Sequence, residues 1–542
     1  MVAKWLLAAP LMLVALAPQP SQAALECNNW SSRFQKKIEG VCVCNEKQCD
    51  SVSNEYLDLK EDEASIYRTS KSGDRLRHEK LKFLDGNAGE VDFTMDANAK
   101  FQKIIGFGGA FTDSTAINVY RLKPTLQQQL VDAYYSDSGI QYTIGRIPIG
   151  SADFSESIYS YNPSVDDFDM AHFSIDVDRE PTSHKLSLIK RALSTSTRDI
   201  SIFASSWAPP TWMTVQNKTQ NCNVKGSPGG SYWKALALYY SKFLTAYKDE
   251  GIDIWGMTVQ NEPDHPIIQP NAWQSLRMTT ETERDFIKSD LGPILKANHP
   301  DVKLIVMDDN KAHLPKWQAA LKDPEARKYV DGIGLHWYMN FDFPLGLGGN
   351  FKEMRDFHAK YPDVFMLPTE ACEGYLPKLI GTGAGVRMHE FNVVWSRAHN
   401  YAKDIINDLI NYASGWTDWN LALDMNGGPN WAGNFVDAPI LVDEKNGDEF
   451  YKQPMYYVLG QFSKFVTSGS QRIGMEMNKS LRNLWRLRDL SYVAFQTPEN
   501  RYAVVFYNSG DSDEEVKLMT PSKKVIKVIV ARNSLQTLVF SA

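Results

Sequence analysis

The 542-residue chain carries 65 acidic against 58 basic side chains, a formal net charge of −7. That mild acidity excludes the broad basic surface with which proteins neutralise nucleic-acid phosphates, so no nucleic-acid partner is expected. The length corresponds to about three domains, or to one large domain with additions.

The chain opens with "MVAKWLLAAPLMLVALAPQPSQA", one Lys ahead of an apolar run from Trp5 to Ala17, then small residues. This is the layout of a secretory signal peptide, residues 1–23, cleaved near Ala23 or Ala24. The run is too short to cross a bilayer, which disfavours an N-terminal anchor helix. Cys27, Cys42, Cys44 and Cys49 follow in a cluster. In an oxidising compartment they read as two disulfides; a zinc knuckle competes, but no histidine lies near them. Asn29, Asn217 and Asn478 each begin an Asn-x-Ser/Thr glycosylation sequon, consistent with export.

Residues 55–96 contain short alternating runs such as "GEVDFTMD". Eight apolar, β-branched runs come next: "KIIGFGGAFTD", "YTIGRIPIG", "DISIFASSWAPP", "IDIWGMTVQNEP", "KLIVMDDN", "GIGLHWY", "VFMLPTEACEG" and "SGWTDWNLAL". Amphipathic stretches such as "HKLSLIKRALSTS" separate them. Strand alternating with helix predicts parallel βαβ units, and eight of them predict a (β/α)₈ barrel, with a doubly wound sheet as the alternative. Residues 471–542 return to short alternating runs, "RYAVVFYN", "KVIKVIVA" and "LQTLVFSA", which predict a β-sandwich built from both sides of the barrel in sequence.

In such a barrel the functional groups sit where strands end on the C-terminal face. The second run carries Arg146 and reaches Asp153 and Phe154; the third ends at Trp207; the fourth at Asn261 and Glu262. The sixth ends at His336 and Tyr338, the seventh at Glu370, and the eighth presents Trp419. Glu262 and Glu370 are carboxylates on strands that face each other across a barrel mouth. Glycoside hydrolysis needs such a pair, one to protonate the leaving oxygen and one to attack the anomeric carbon or activate water. Taken singly, Asn-Glu-Pro reads more readily as a surface loop and His336 as a satisfied core histidine; each gains functional weight from lying at the end of its own strand. No Gly-x-Ser-x-Gly elbow or His-Glu-x-x-His helix supports a serine or metal hydrolase.

"GFGGAFTD", "SADFS", "SSWAPPTW", "VQNEP", "HWY", "TEACEG", "GWTDWNLAL" and "GGPNWAGNFVDAPI" resemble, in unbroken order, the motifs of the glucosylceramidases of retaining glycoside hydrolase family 30. The resemblance implies an α/β fold: a (β/α)₈ TIM barrel with an associated β-sandwich and a small disulfide-bearing N-terminal β-subdomain. The corresponding divisions are 24–53 with 421–453 for the subdomain, 54–100 with 470–542 for the sandwich, and 101–420 with 454–469 for the barrel. It implies Glu262 as acid/base, Glu370 as nucleophile, Asn261 on the sugar 2-hydroxyl, and Tyr338, Arg146 and His336 in support. Asp153, Phe154, Trp207, Trp419 and Asn434 would hold the sugar. It implies the pairs Cys27–Cys42 and Cys44–Cys49, no metal and no cofactor.

It further implies a glycosphingolipid substrate, glucosylceramide, peripheral contact with a membrane surface, a saposin-type activator protein and residence in the lysosomal lumen. A β-glycosidase for another sugar or aglycone, or a silent glycolipid-binding member, is the alternative. Phe341, Phe343, Leu345 and Leu347, in a Gly-rich loop after the sixth run, are expected to touch ceramide or the membrane, a simply packed loop being the alternative. Leu379 to Val393 departs from the family pattern as a Gly-rich insertion beside the site, and His265 follows the acid/base unusually closely. Charge repulsion from Glu370 is expected to raise the pKa of Glu262.

Overall fold

The structure, a computed structural model, describes residues 25–84, 89–264, 271–340 and 351–542. The signal peptide, the apolar loop residues Phe341, Phe343, Leu345 and Leu347, and His265 lie outside the described residues.

Each of the eight runs forms a strand: β1 (Gly106–Ala110), β2 (Ile144–Ile149), β3 (Ser201–Ser206), β4 (Ile254–Thr258), β5 (Lys303–Asn310), β6 (Gly332–His336), β7 (Phe365–Glu370) and β8 (Gly415–Asn420). They pair in parallel in sequence order, with β8 against β1. The ring closes where Met366 bridges Ala413 and Ser414 N donates to Met366 O at 2.8 Å. Helices cover the outside, so both strand faces are buried and the runs stay apolar rather than alternating. Helix α1 (Asp113–Arg121) follows β1 and is capped by Thr112, whose hydroxyl accepts from Thr115 N at 3.0 Å. Helix α2 (Phe391–Ile410) returns the chain from the end of β7 to the start of β8.

Nine strands from both sides of the barrel form the second sheet. Phe93–Lys103, Glu63–Ser70 and Arg77–Lys82 come from before it; six, from Gln471–Met477 to Ser534–Ser541, come from after it. A bridge between Phe83 and Ile526 brings the two edges together around a core of Ile66, Phe93, Phe506, Leu518 and Phe540. This segment also contains a short helix, α3 (Leu481–Arg486), where the sequence predicts strands and polar turns alone. A third sheet of four strands joins Cys42–Cys44 to Ala422–Asp424, Ile440–Val442 and Phe450–Lys452. Disulfides Cys27–Cys42 and Cys44–Cys49 lie beside it, while Cys222 and Cys372 are buried thiols. Of the sequon residues, Asn217 and Asn478 are exposed and Asn29 is half-buried.

The segment Leu379–Val393, expected to be an insertion, is anchored from below. Buried Arg397, on α2, donates to the carbonyls of Thr382, Gly383 and Gly385 and ion-pairs with Asp437. Thr382 also donates to Glu373 at 2.5 Å.

Candidate active site

The strand ends converge on one cavity of about 220 Å³. Asp153, Phe154, Trp207, Asn261, Glu262, Tyr338, Glu370, Trp419 and Asn434 line it, with Trp273, Cys372, Tyr375 and Val436. All but two of the predicted site residues are therefore in its wall. Arg146 and His336 stand behind it, fully buried.

Arg146 organises the floor. Its guanidinium ion-pairs with Glu370 Oε2 and, at 2.8 Å, with Asp308; Nη2 also donates to Asn261 Oδ1 at 2.8 Å and Nε to Ser205 at 3.2 Å. One planar cation thus fixes groups from β3, β5 and β7 and the end of β4. Tyr338 donates to the other oxygen of Glu370 at 2.8 Å. Asn261, held through its oxygen, keeps its NH₂ as a donor.

His336 bridges the second carboxylate to the floor, with Nδ1 3.2 Å from Glu262 and Nε2 3.1 Å from Asp308. Burial opposes its charge, but the Glu370 charge and the hydrogen bonds to Asp308 and Glu262 push it up to about 10. Asp308 is itself buried, yet the Arg146 charge and the His336 hydrogen bond hold its carboxyl well below the usual range. The Glu262 carboxyl is raised, as expected, but for a different leading reason. Burial is the main cause, His336 pulls the other way, and the Glu370 charge is a smaller contribution. A carboxylate oxygen of Glu262, one of Glu370 and a ring nitrogen of His336 all lie within 4.8 Å of one another.

The backbone explains how β4 delivers a carboxylate here. Glu262 has φ +43°, a left-handed turn that a non-glycine residue adopts at a cost, and its N–H is secured by Asp308 O at 3.0 Å. On β5, Met307 and Asp308 also have positive φ, at a register shift against β6. This bulge aims Asp308 into the barrel. Gly334 on β6 fits beside it because a Cβ there would lie 3.0 Å from Asp308 Cα. Asp308 lies in a run read for its apolar residues alone; the polar end of "KLIVMDDN" is the signal that marks it.

The cavity walls are aromatic and polar. Trp207 and Trp419 stack, centroids 5.1 Å apart and planes at 16°, and Phe154 meets Trp419 edge-on. Arg146 Cζ lies 5.0 Å from Trp207 and 5.3 Å from Trp419. Asp153 accepts from Asn434 at 3.0 Å and from Asn430 at 3.3 Å; burial pushes its carboxyl up to about 7 despite those donors. Asn430, Trp273 and Tyr375 are further residues that strand-end reasoning does not reach, because all three lie in loops.

A (β/α)₈ barrel with two carboxylates this close at its mouth, in a cavity walled by tryptophans, is the architecture of a glycoside hydrolase. Comparison with known proteins narrows the class. Residues 104–466 match the glycosyl hydrolase family 30 TIM-barrel domain and residues 469–538 the family 30 β-sandwich domain. The chain belongs to glycosyl hydrolase family 30. The lysosomal acid glucosylceramidase of Mus musculus is 38% identical over 502 residues, 92% of each chain. A Caenorhabditis elegans relative that carries a glucosylceramidase name is 40% identical over 480 residues, 87% of this chain and 88% of that one. Among solved structures, SrfJ from Salmonella typhimurium shares the fold, with a TM-score of 0.77 at 24% identity over 89% of this chain and all of that one.

Proposed function

We propose that the protein is a glucosylceramidase that hydrolyses the β-glucosidic bond of glucosylceramide with retention, Glu262 acting as acid/base and Glu370 as nucleophile. The observation that carries the reading is the approach of the two carboxylates to within 4.8 Å. Retaining enzymes place the pair about 5 Å apart, whereas inverting ones need room for a water between them. The glucosylceramidase names of the mouse and nematode relatives support the choice of substrate.

In this mechanism Tyr338 and Arg146 hold both oxygens of Glu370 and leave its attacking lone pair directed at the anomeric carbon. Glu262, whose pKa burial raises, gives its proton to the leaving ceramide oxygen. Once Glu370 is glycosylated its charge is gone, the pKa of Glu262 falls, and Glu262 takes a proton from the water that releases glucose. Asn261 donates to the 2-hydroxyl, the Trp207–Trp419 pair packs on the ring, and Asp153 with Asn434 reads the remaining hydroxyls. A wrong epimer leaves such a buried partner unpaired. A cavity of about 220 Å³ suits a single sugar ring, and so cleavage from a chain end. We place this activity in the lysosomal lumen, on a membrane surface and aided by a saposin-type activator; the name of the mouse relative supports the compartment.

The test is hydrolysis of lipid-presented glucosylceramide followed by proton NMR of the first-released sugar. β-Glucose from wild type and none from Glu370→Gln supports the reading. First-formed α-glucose would overturn the two-glutamate mechanism, and a different sugar released from another glycolipid would overturn the substrate.

A further inference from the structure

The segment Leu379–Val393 has no part in the mechanism above, yet its inner edge reaches the cavity. Ala384 pairs with Tyr375 in an antiparallel bridge, and Gly385 N donates to Gly374 O at 2.9 Å. Tyr375 is a residue of the cavity wall, five positions past Glu370.

The junction is close-packed. Gly374 has φ +81°, and a Cβ on it would lie 2.8 Å from Asp437 N and 2.9 Å from Gly385 O, so three stretches of backbone meet there. Buried Arg397 ties two of them together, donating to the Gly383 and Gly385 carbonyls and ion-pairing with Asp437. Thr382 joins the segment to the third by donating to Glu373, whose other oxygen accepts from Asn400 at 2.7 Å. These anchors converge on the residues that flank Tyr375. On its other side the Tyr375 ring meets Tyr338, centroids 4.9 Å apart and planes at 69°, and Trp337 at 6.2 Å.

The order of strands around the barrel says which part of a substrate this ring faces. Glu262 and Glu370 come from the ends of β4 and β7, and the bond to be cut lies between them. Asp153 and Trp207 follow β2 and β3, Trp419 lies on β8 and Asn434 after it, so the sugar readers occupy the arc from β8 through β1 to β3. The leaving group then extends towards the opposite arc, β5 and β6. Tyr338, just past β6, and Tyr375, leaning on it from β7, border that arc.

We propose that Tyr375 is a specificity-determining residue for the aglycone, and that the segment Leu379–Val393 is the buttress that fixes it. The ring offers apolar surface without charge, so the aglycone it selects is an alkyl chain whose first carbons pack along it. This rests on the glucosidase reading above and assigns the leaving-group side of the same site.

The experiment compares octyl β-glucoside with β-glucosyl fluoride, whose leaving group has no carbon to touch the ring. The variants are Tyr375→Ala, Tyr375→Phe and Thr382→Val. The quantity read is the ratio of kcat/KM on the octyl substrate to that on the fluoride; taken on one preparation, it does not depend on the fraction folded. Tyr375→Ala should lower this ratio about tenfold, the worth of about two buried methylenes. Tyr375→Phe keeps the ring and should keep the ratio. Thr382→Val, outside the cavity wall, should lower it about threefold through the loss of one buried hydrogen bond. An equal fall on both substrates in Tyr375→Ala would make Tyr375 a brace for Tyr338 alone and overturn the assignment. So would a ratio that rises, since the ring would then be an obstruction. A fall in Tyr375→Ala with Thr382→Val at the wild-type ratio would overturn the buttress. The same comparison is made without turnover, as affinity for methyl and octyl β-thioglucosides. A protein that hydrolyses neither substrate, yet loses its preference for the octyl thioglucoside on Tyr375→Ala, would overturn the proposed hydrolysis and support this assignment.

Discussion

Two buried cations in this barrel each sit between two carboxylates, and they do different things. Arg146 lies between Asp308 and Glu370; Lys311, just past β5, lies 2.9 Å from Asp404 and 2.5 Å from Asp408 on α2. Both cations are inaccessible to solvent. Around Lys311, Asp404 also accepts from Asn340 at 2.6 Å and from Trp416 at 2.9 Å, so this cluster latches β5, β8 and the segment after β6 to the outer helix. Burial and the neighbouring Asp404 charge raise the Asp408 carboxyl far above its usual range. The lysine cluster is a closed knot. The arginine cluster has one open side, where Glu370 meets the cavity. The difference lies in the cation: a guanidinium has enough donors in one plane to hold several groups in register, whereas an ammonium is a point charge that ties its neighbours to itself.

The sharpest test of that contrast is removal of the exposed-side carboxylates. Glu370→Gln should lower kcat on glucosylceramide by about 10⁴-fold or more with the fold intact by circular dichroism, in the range seen when a catalytic nucleophile is removed. Glu262→Gln should do nearly as much to kcat/KM on glucosylceramide yet spare kcat/KM on a substrate whose leaving group needs no proton, such as a dinitrophenyl glucoside, while kcat falls on both because deglycosylation loses its base; equal losses in kcat/KM would remove the acid role. Substituting the cations comes next. Arg146→Lys should keep a stable protein but lose about 10²-fold in kcat, because a point charge cannot position Glu370 and Asn261 together. Lys311→Met should do the reverse, costing about 3–5 kcal/mol in denaturant unfolding by stranding buried carboxylates, with kcat/KM of the folded fraction near wild type. If both variants lose stability and activity in the same proportion, the distinction between knot and floor is lost.

A smaller effect is the pH dependence of stability. Asp153 and Glu283 are both raised to about 7 by burial. Between the ordinary carboxyl range and pH 7 the folded state keeps a proton that the unfolded state releases, so stability falls as pH rises through that window. His336, raised to about 10, adds stability that is complete below its ordinary value near 6.5 and is lost as pH rises towards 10. Asp308 works at the other end, losing stability as pH drops below the normal carboxyl range. The thermal midpoint should therefore peak between about pH 4 and 6 and fall by a few degrees by pH 8. A midpoint that rises from pH 5 to 8 would contradict the buried-proton account. The smallest effect expected is Asn430→Ala, a few-fold rise in KM from the loss of one donor to Asp153 with kcat little changed.

The barrel was legible because buried parallel strands write themselves as unbroken apolar runs, and because several runs stop on a residue of the cavity wall. "VQNEP" and "LPTEAC" are such endings. Asp308 escaped because it reaches the site through a bulge: two positive-φ residues rotate a side chain that simple alternation would put elsewhere. Trp273, Tyr375 and Asn430 come from loops, whose approach to the cavity has no period to read. The Lys311 knot pairs residues nearly a hundred positions apart. Helix α3 does space Leu481, Leu484 and Trp485 as an amphipathic helix would, but a six-residue helix is too short for that period to stand out between two strands.

The sandwich has a consequence for how the protein is made. The strand Glu63–Ser70 pairs with Ser534–Ser541, nearly the whole chain later. At ribosomal speeds of roughly 5–20 residues per second, this early strand waits on the order of half a minute or more for its partner to be synthesised. Through that interval its edge is open to any other strand, including its counterpart in a neighbouring nascent chain. Shielding that edge until synthesis is all but complete falls to the folding machinery that receives the chain.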